Sequence, residues 1–129
     1  NGQAIESRQK GVKHSGVAIE CRINAEDPAT NFTPCPGRVE RFIPPGGPGV
    51  RVDTHIWQGA TISAHYDSMI AKVIVHQPTR GEAIATMRRA LQEFVISPIK
   101  TTIPACLEIL SHNLYVKNKV DTGFIDRNF

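Results

Sequence analysis

Val17, Ile19, Cys21 and Ile23 alternate with Ala18, Glu20, Arg22 and Asn24, and the alternation stops at an acidic turn, Glu26-Asp27, ahead of Pro28. A period of two predicts a half-buried strand. The first set enters a core, while Glu20, Arg22 and Asn24 share the opposite face. Residues Glu26 to Pro36 hold Pro28, Asn31, Pro34 and Pro36 and read as a loop or a single helical turn. A short strand is expected over Arg38 to Ile43. Pro44 to Gly49 then predicts a hairpin-like reversal, because proline removes ladder donors and glycine admits backbone angles other residues avoid. Val50 to Ile56 resumes strand character, and Gly59 to Ala64 predicts a turn with a short strand. Met69 to His76 is the most apolar run. It carries Met69, Ala71, Val73 and Val75 on one face and Ile70 and Ile74 flanking Lys72 on the other, so both faces are expected to be covered.

Helical periodicity begins after Pro78. Thr79-Arg80-Gly81-Glu82 has the form of a capping box, and Ala83, Ile84, Met87, Ala90, Leu91 and Phe94 then recur as one core-facing stripe. Val95-Ile96 predicts a short return strand. A second helix is expected from Thr102, with the threonine as cap and Pro104 in the first turn, to about Leu110. Thr122 to Ile125 predicts a final short helix. Strands followed by helices, without regular alternation between them, indicate an α+β organisation.

The 129 residues suit one domain, and a formal charge of +3 with scattered basic residues lacks the dense basic stripe of a nucleic-acid binder. Anionic small ligands remain compatible. No stretch approaches a membrane span and no signal-peptide pattern opens the chain, so the expectation is a cytoplasmic protein. Cys21, Cys35 and Cys106 form no C-x-x-C pair and read as reduced thiols, with Cys21 an inert buried one. The polar, aperiodic opening from Asn1 to Ser15 reads as a linker, residues 1–15, ahead of a domain at 16–129, in a piece cut from a longer polypeptide.

Two readings of Arg22 stand side by side. It is a cross-strand ion-pair residue, or it presents a permanently charged, flat fork of donors to a carboxylate, bicarbonate or enolate. Gly46-Gly47-Pro48-Gly49 lacks the order of a phosphate loop and reads as a turn. His55 and His65 have no spacing typical of a metal site on one element, so no metal ligands are assigned. Asp67, in Tyr66-Asp67-Ser68 just before the apolar run, sits at a strand mouth as a turn former or an orienting acceptor.

Residues Gly16 to Pro28, centred on Ala18 to Pro28, resemble the segment that opens the C-terminal domain of biotin carboxylase. Three further stretches agree in order and spacing: Pro36-Gly37-Arg38-Val39 leading to Pro45 to Arg51, Tyr66 to Lys72, and Pro98 to Thr102. The resemblance implies a strongly bent antiparallel sheet of half-barrel, barrel-sandwich-hybrid type with helices packed on one side. It implies ATP-dependent carboxylation of biotin on a carrier protein. ATP and bicarbonate form carboxyphosphate, which releases carbon dioxide; a base removes the ureido proton, and the enolate attacks carbon dioxide. Arg22 matches the arginine that contacts bicarbonate and stabilises the enolate, and Asp67 and Tyr66 match positions beside the biotin pocket. Arg51 falls at a position associated with the dimer interface, with Pro48 where an aromatic often stands. The ATP and magnesium sites of the family belong to an upstream ATP-grasp region, so this fragment alone is expected to be inactive. The partners implied are that region, the biotin carboxyl carrier protein, carboxyltransferase subunits and a second copy in a homodimer. The segment Arg22 to Asp27 resembles most the biotin carboxylase subunit of acetyl-CoA carboxylase, which serves malonyl-CoA and fatty acid synthesis; pyruvate and propionyl-CoA carboxylases share the domain. The competing class is a non-catalytic β-rich interaction module.

Overall fold

A computed structural model describes Gly2 and residues 9–129; Asn1 and residues 3–8, within the expected linker, lie outside the described residues. The alternating segment is strand β1 (Val17–Asn24). Next come β2 (Glu26–Asp27), a 3-10 turn at Pro28–Thr30, β3 (Thr33–Pro34), β4 (Gly37–Arg38) and β5 (Arg41–Ile43). They are followed by β6 (Val50–Thr54), β7 (Thr61–Ile62), β8 (Met69–Gln77), α1 (Arg80–Glu93), β9 (Val95–Ser97), α2 (Ile103–Ser111), α3 (Asn113–Val116) and α4 (Phe124–Asn128). The main sheet has three strands in the order β1-β8-β6, antiparallel throughout, and β2-β3, β4-β7 and β5-β9 form separate two-stranded ladders. The domain is thus mixed helix and strand with antiparallel sheets, as the α+β reading requires.

Register converts the alternation into two faces. Ile23 lies opposite Ala71, Cys21 opposite Val73 and Ile19 opposite Val75, so the apolar members of β1 and β8 point the same way. That side is closed by α1, whose stripe Ala83, Ile84, Met87, Ala90 and Leu91 is buried as its spacing predicts. Ile23, Val73, Val75 and Met87 are fully inaccessible to solvent, and each such side chain stabilises the fold by about 1.5–3 kcal/mol. The capping box at Thr79 forms in both directions, Glu82 N–H to Thr79 Oγ1 and Thr79 N–H to Glu82 Oε2. Phe94 ends the helix and meets Phe42 edge-on at 5.5 Å, which fastens β5 to the same core.

Several local expectations change in the fold. Arg38 to Ile43 is not one strand. Val39 is fully buried at a bend, its N–H bonded to Ala60 O at 2.8 Å, and the chain passes there from the ladder with β7 to the ladder with β9. Pro44 to Gly49 does reverse the chain, but β5 and β6 do not pair with each other across it. Gly49, at φ +73°, lies so close to His76 O that a Cβ there would be 2.6 Å away, and its own carbonyl accepts from His76 N–H. The reversal is therefore moored to the end of β8. A fourth helix, α3, has no signal in the sequence and is tied to α1 by Arg80, which donates to Tyr115 O at 2.6 Å and lies over the Tyr115 ring.

Thr102 precedes α2 as expected but does not cap it with its side chain. Its hydroxyl accepts from Asn24 N–H at 3.0 Å and donates to Arg22 O at 3.3 Å, while its own N–H donates to Asn24 O at 3.1 Å. The residue thus latches the start of α2 onto the end of β1. Thr102→Val keeps the shape and removes both hydroxyl bonds, leaving a buried N–H unpaired. It is expected to lower unfolding free energy by about 1–3 kcal/mol in denaturant titration. Thr101→Val, equally buried but without a side-chain hydrogen bond among the described residues, should cost less.

Candidate functional site

Strand β1 places Glu20 and Arg22 on the sheet face that α1 leaves open, and register sets Arg22 beside Lys72 of β8, which in turn faces Asp53 of β6. Charges on this face sort themselves into pairs. Lys72 Nζ lies 3.7 Å from Glu20, and Arg51 donates to both Asp53 oxygens at 2.8 and 2.7 Å. The bidentate guanidinium holds the Asp53 carboxyl below the usual range and raises Arg51. Arg22 is left out of this pairing. Its guanidinium is exposed, and among the described residues its hydrogen bond is Nε to Met69 Sδ at 3.1 Å. The ion-pair reading of Arg22 therefore fails: the carboxylate on its own strand is taken by Lys72.

Met69 joins Arg22 to the second candidate. Its N–H donates to Asp67 Oδ1 at 2.7 Å in an Asx turn at the mouth of β8, where Asp67 and Tyr66 are both exposed. Tyr66 is 83% exposed. Both residues line a cleft of about 410 Å³ whose apolar walls include Trp57, Ile62 and Ile70. A second cleft, of about 340 Å³, contains Met69, Lys72 and Asp53 and shares His55 and Ile70 with the first. Arg22 lines neither. The structure thus brings Asp67 and Tyr66 together, sets Arg22 on the far side of Met69, and places Arg51 elsewhere on the open face, bound to Asp53.

Sequence reasoning missed what holds this edge in place. At the register shift between Ile23 and Asn24, strand β1 leaves β8 and Ala25 N–H bonds to Ser68 O at 2.7 Å. Glu26 then clasps both sides, accepting from Asn24 Nδ2 at 3.0 Å and from the Ser68 hydroxyl. The acidic turn therefore serves to position the Tyr66 to Ser68 loop. Trp57 was also missed; its only signal is that it is the single tryptophan in the chain, next to a glycine turn.

Fold and site together define a small α+β domain that offers, among the described residues, an unpaired guanidinium on the open sheet face and an aromatic-walled cleft near it. The chain belongs to the biotin carboxylase C-terminal domain family, whose profile matches residues 20–127. It is 51% identical to biotin carboxylase 1 of Bacillus subtilis over 98% of its own length and 28% of that protein. It is 43% identical to a pyruvate carboxylase subunit of Methanothermobacter thermautotrophicus, covering 98% of this chain and 26% of the relative. The biotin carboxylase domain of a thermophilic 2-oxoglutarate carboxylase, solved with bicarbonate bound, superposes with a TM-score of 0.93 at 40% identity, over 98% of this chain and 28% of that one. The chain thus spans roughly a quarter of the length of the relatives it matches. Among the described residues, no helix is long and apolar enough to cross a membrane.

Glu26→Ala strands the Asn24 amide and the Ser68 hydroxyl. A loss of about 1–3 kcal/mol is expected in denaturant titration, with Glu26→Gln, which keeps an acceptor oxygen, costing less. The Arg51–Asp53 pair carries a definite sign with pH. A carboxyl lowered by folding contributes stability above its unfolded range and loses it as pH falls through its folded value. Asp53→Asn should accordingly flatten the acid limb of a melting-temperature profile while leaving the neutral region's slope unchanged.

Proposed function

We propose that this chain supplies the bicarbonate- and biotin-facing wall of an ATP-dependent biotin carboxylase, with Arg22 as its catalytic residue. The observation that carries the reading is the exposed Arg22 guanidinium, free of any acid among the described residues while the neighbouring cations Lys72 and Arg51 are both paired. A fixed cation beside the atom where negative charge develops lowers a barrier without reorganisation at the moment of reaction. Bicarbonate, and then the enolate of deprotonated biotin, match the flat donor fork of the guanidinium. Asp67 and Tyr66 border the ring of biotin, and the apolar walls around Trp57 give that cleft the size and character of a small-molecule site.

The same reading assigns the ATP, magnesium and catalytic-base functions to an upstream ATP-grasp region, with residues 1–15 as the linker to it. Relatives solved with bicarbonate and with MgADP support this. The half-barrel, barrel-sandwich-hybrid description of the bent sheet belongs to it as well, supported by the pairing of β4 with β7 and of β5 with β9 outside the main sheet. Biotin on a carrier protein is the substrate, carboxyltransferase subunits take the product, and Arg51 marks the face for a second copy. The 51% identity to one biotin carboxylase favours the acetyl-CoA carboxylase branch, and with it a cytoplasmic role in supplying malonyl-CoA, while other biotin carboxylases match at 41–45%, around the 43% of the pyruvate carboxylase relative.

The test is bicarbonate-dependent ATP cleavage stimulated by free biotin, measured on the longer chain that includes the upstream region. Stimulation is expected, and the present chain alone should show none. Arg22→Ala should lower the biotin-dependent kcat by about 100-fold or more, on the order of 3 kcal/mol of lost transition-state stabilisation. Unchanged turnover would leave Arg22 a structural residue, and absence of biotin stimulation in the longer chain would favour a non-catalytic interaction module.

A further inference from the structure

Strand periodicity puts Met69 on the core face of β8 with Ala71, Val73 and Val75, yet its thioether lies against Arg22 on the opposite face, Sδ 3.1 Å from Nε. The register shift is the cause. Ile23 lies opposite Ala71 and the next residue of β1, Asn24, lies opposite Met69, so β8 spends one extra residue, Ile70, at this point. A bulge of this kind reverses the parity of every side chain beyond it. Met69 is thereby paired with Asn24, which shares the face of Arg22, and comes within the diagonal reach of a long side chain.

The two arginines on this face show what the choice of partner does. Arg51 gives Nε and Nη2 to the two oxygens of Asp53, so its charge is balanced and one edge of its fork is filled. Arg22 gives Nε to a sulfur. A thioether is a weak, uncharged acceptor, so it occupies that N–H and leaves the positive charge intact. Four N–H groups remain on the two terminal nitrogens, and among the described residues none of them is bonded to a protein group. With Nε held, the guanidinium keeps its end-on edge for a second partner and loses part of the rotamer freedom of an exposed arginine.

We propose that Met69 is a positioning residue for Arg22: its sulfur holds the Nε–H, so that a planar anion is met end-on by the two terminal nitrogens. The role rests on the carboxylase reading, in which that anion is bicarbonate and then the enolate of biotin. Met69 also donates its backbone N–H to Asp67 Oδ1 at 2.7 Å. One residue therefore sets the guanidinium from its side chain and the Asp67 carboxylate from its backbone, and fixes the two relative to each other. An acid in its place would orient Arg22 equally well but cancel the charge that the chemistry requires.

Two variants separate the acceptor from the bulk of the side chain. Met69→Leu keeps an apolar group of similar volume and removes the sulfur, and Met69→Gln restores a neutral acceptor at similar reach. In the present chain, nitrogen-15 NMR follows the Arg22 Nε–H signal, identified by its loss in Arg22→Lys. Its exchange with solvent should be several-fold faster in Met69→Leu and slow again in Met69→Gln. Met87→Leu, the same substitution at a fully buried position of α1, should leave it unchanged. In the longer chain, Met69→Leu should lower the biotin-dependent kcat by about 10-fold and Met69→Gln should recover most of it, with the melting temperature unmoved in both. With an active wild type, an unchanged kcat in Met69→Leu overturns the role alone, and so does a loss that Met69→Gln fails to recover or that follows the melting temperature. A wild-type longer chain without biotin stimulation overturns the carboxylase reading and the role with it.

Discussion

The antiparallel register of β1 against β8 is the constraint on which the open face and the core both depend. With Arg22 opposite Lys72, Ile19, Cys21 and Ile23 meet Val75, Val73 and Ala71 under α1. A slip of one residue would send Arg22 into that core and Ile23 into water, because side chains alternate strictly between faces. Desolvating an unpaired guanidinium costs several kcal/mol, so the core enforces the register and thereby the outward direction of the charge. Stability and candidate chemistry are consequences of one pairing.

How far that pairing extends is set at its end. The register shift at Ile23/Asn24 coincides with three attachments: the Thr102 latch on Arg22 and Asn24, the Ala25 bond to Ser68, and the Glu26 clasp. Together they hold the last part of β1 and the loop carrying Tyr66 and Asp67 in one arrangement. A side chain proposed to stabilise charge must itself be held by its surroundings, and here the holding is done by backbone carbonyls and a carboxylate on either side of Arg22 rather than by an acid paired with its guanidinium.

The local features were legible in the chain because local physics decides them. Strand β1, the apolar run of β8 and the boxed start of α1 each follow from a pattern within a few residues. The partners of β5 and the direction of the Thr102 hydroxyl were not legible, since both depend on groups distant in sequence: Phe42 faces Ile96 in the β5-β9 ladder, and Thr102 meets Arg22 and Asn24. A threonine before a helix has two uses for its oxygen, and only the folded surroundings select between them. Asp67, Tyr66 and Arg22 were named as individual candidates from the sequence, but their connection through Met69 rests on a thioether contact that no spacing rule encodes.

Exposure limits what Arg22 does as it stands. Two unit charges at 4 Å interact by about 1 kcal/mol in water and about 4 kcal/mol at the effective dielectric of a partly covered protein surface. An exposed guanidinium on an open sheet therefore binds a small anion weakly. The same group becomes several times more effective once a second surface covers it and expels water. Pairing Lys72 with Glu20 and Arg51 with Asp53 has a definite consequence under such a cover: the local charge that remains unbalanced on this part of the face is that of Arg22, so an entering anion is drawn to one guanidinium rather than to a diffuse basic patch. The arrangement sets direction first, and strength follows from enclosure.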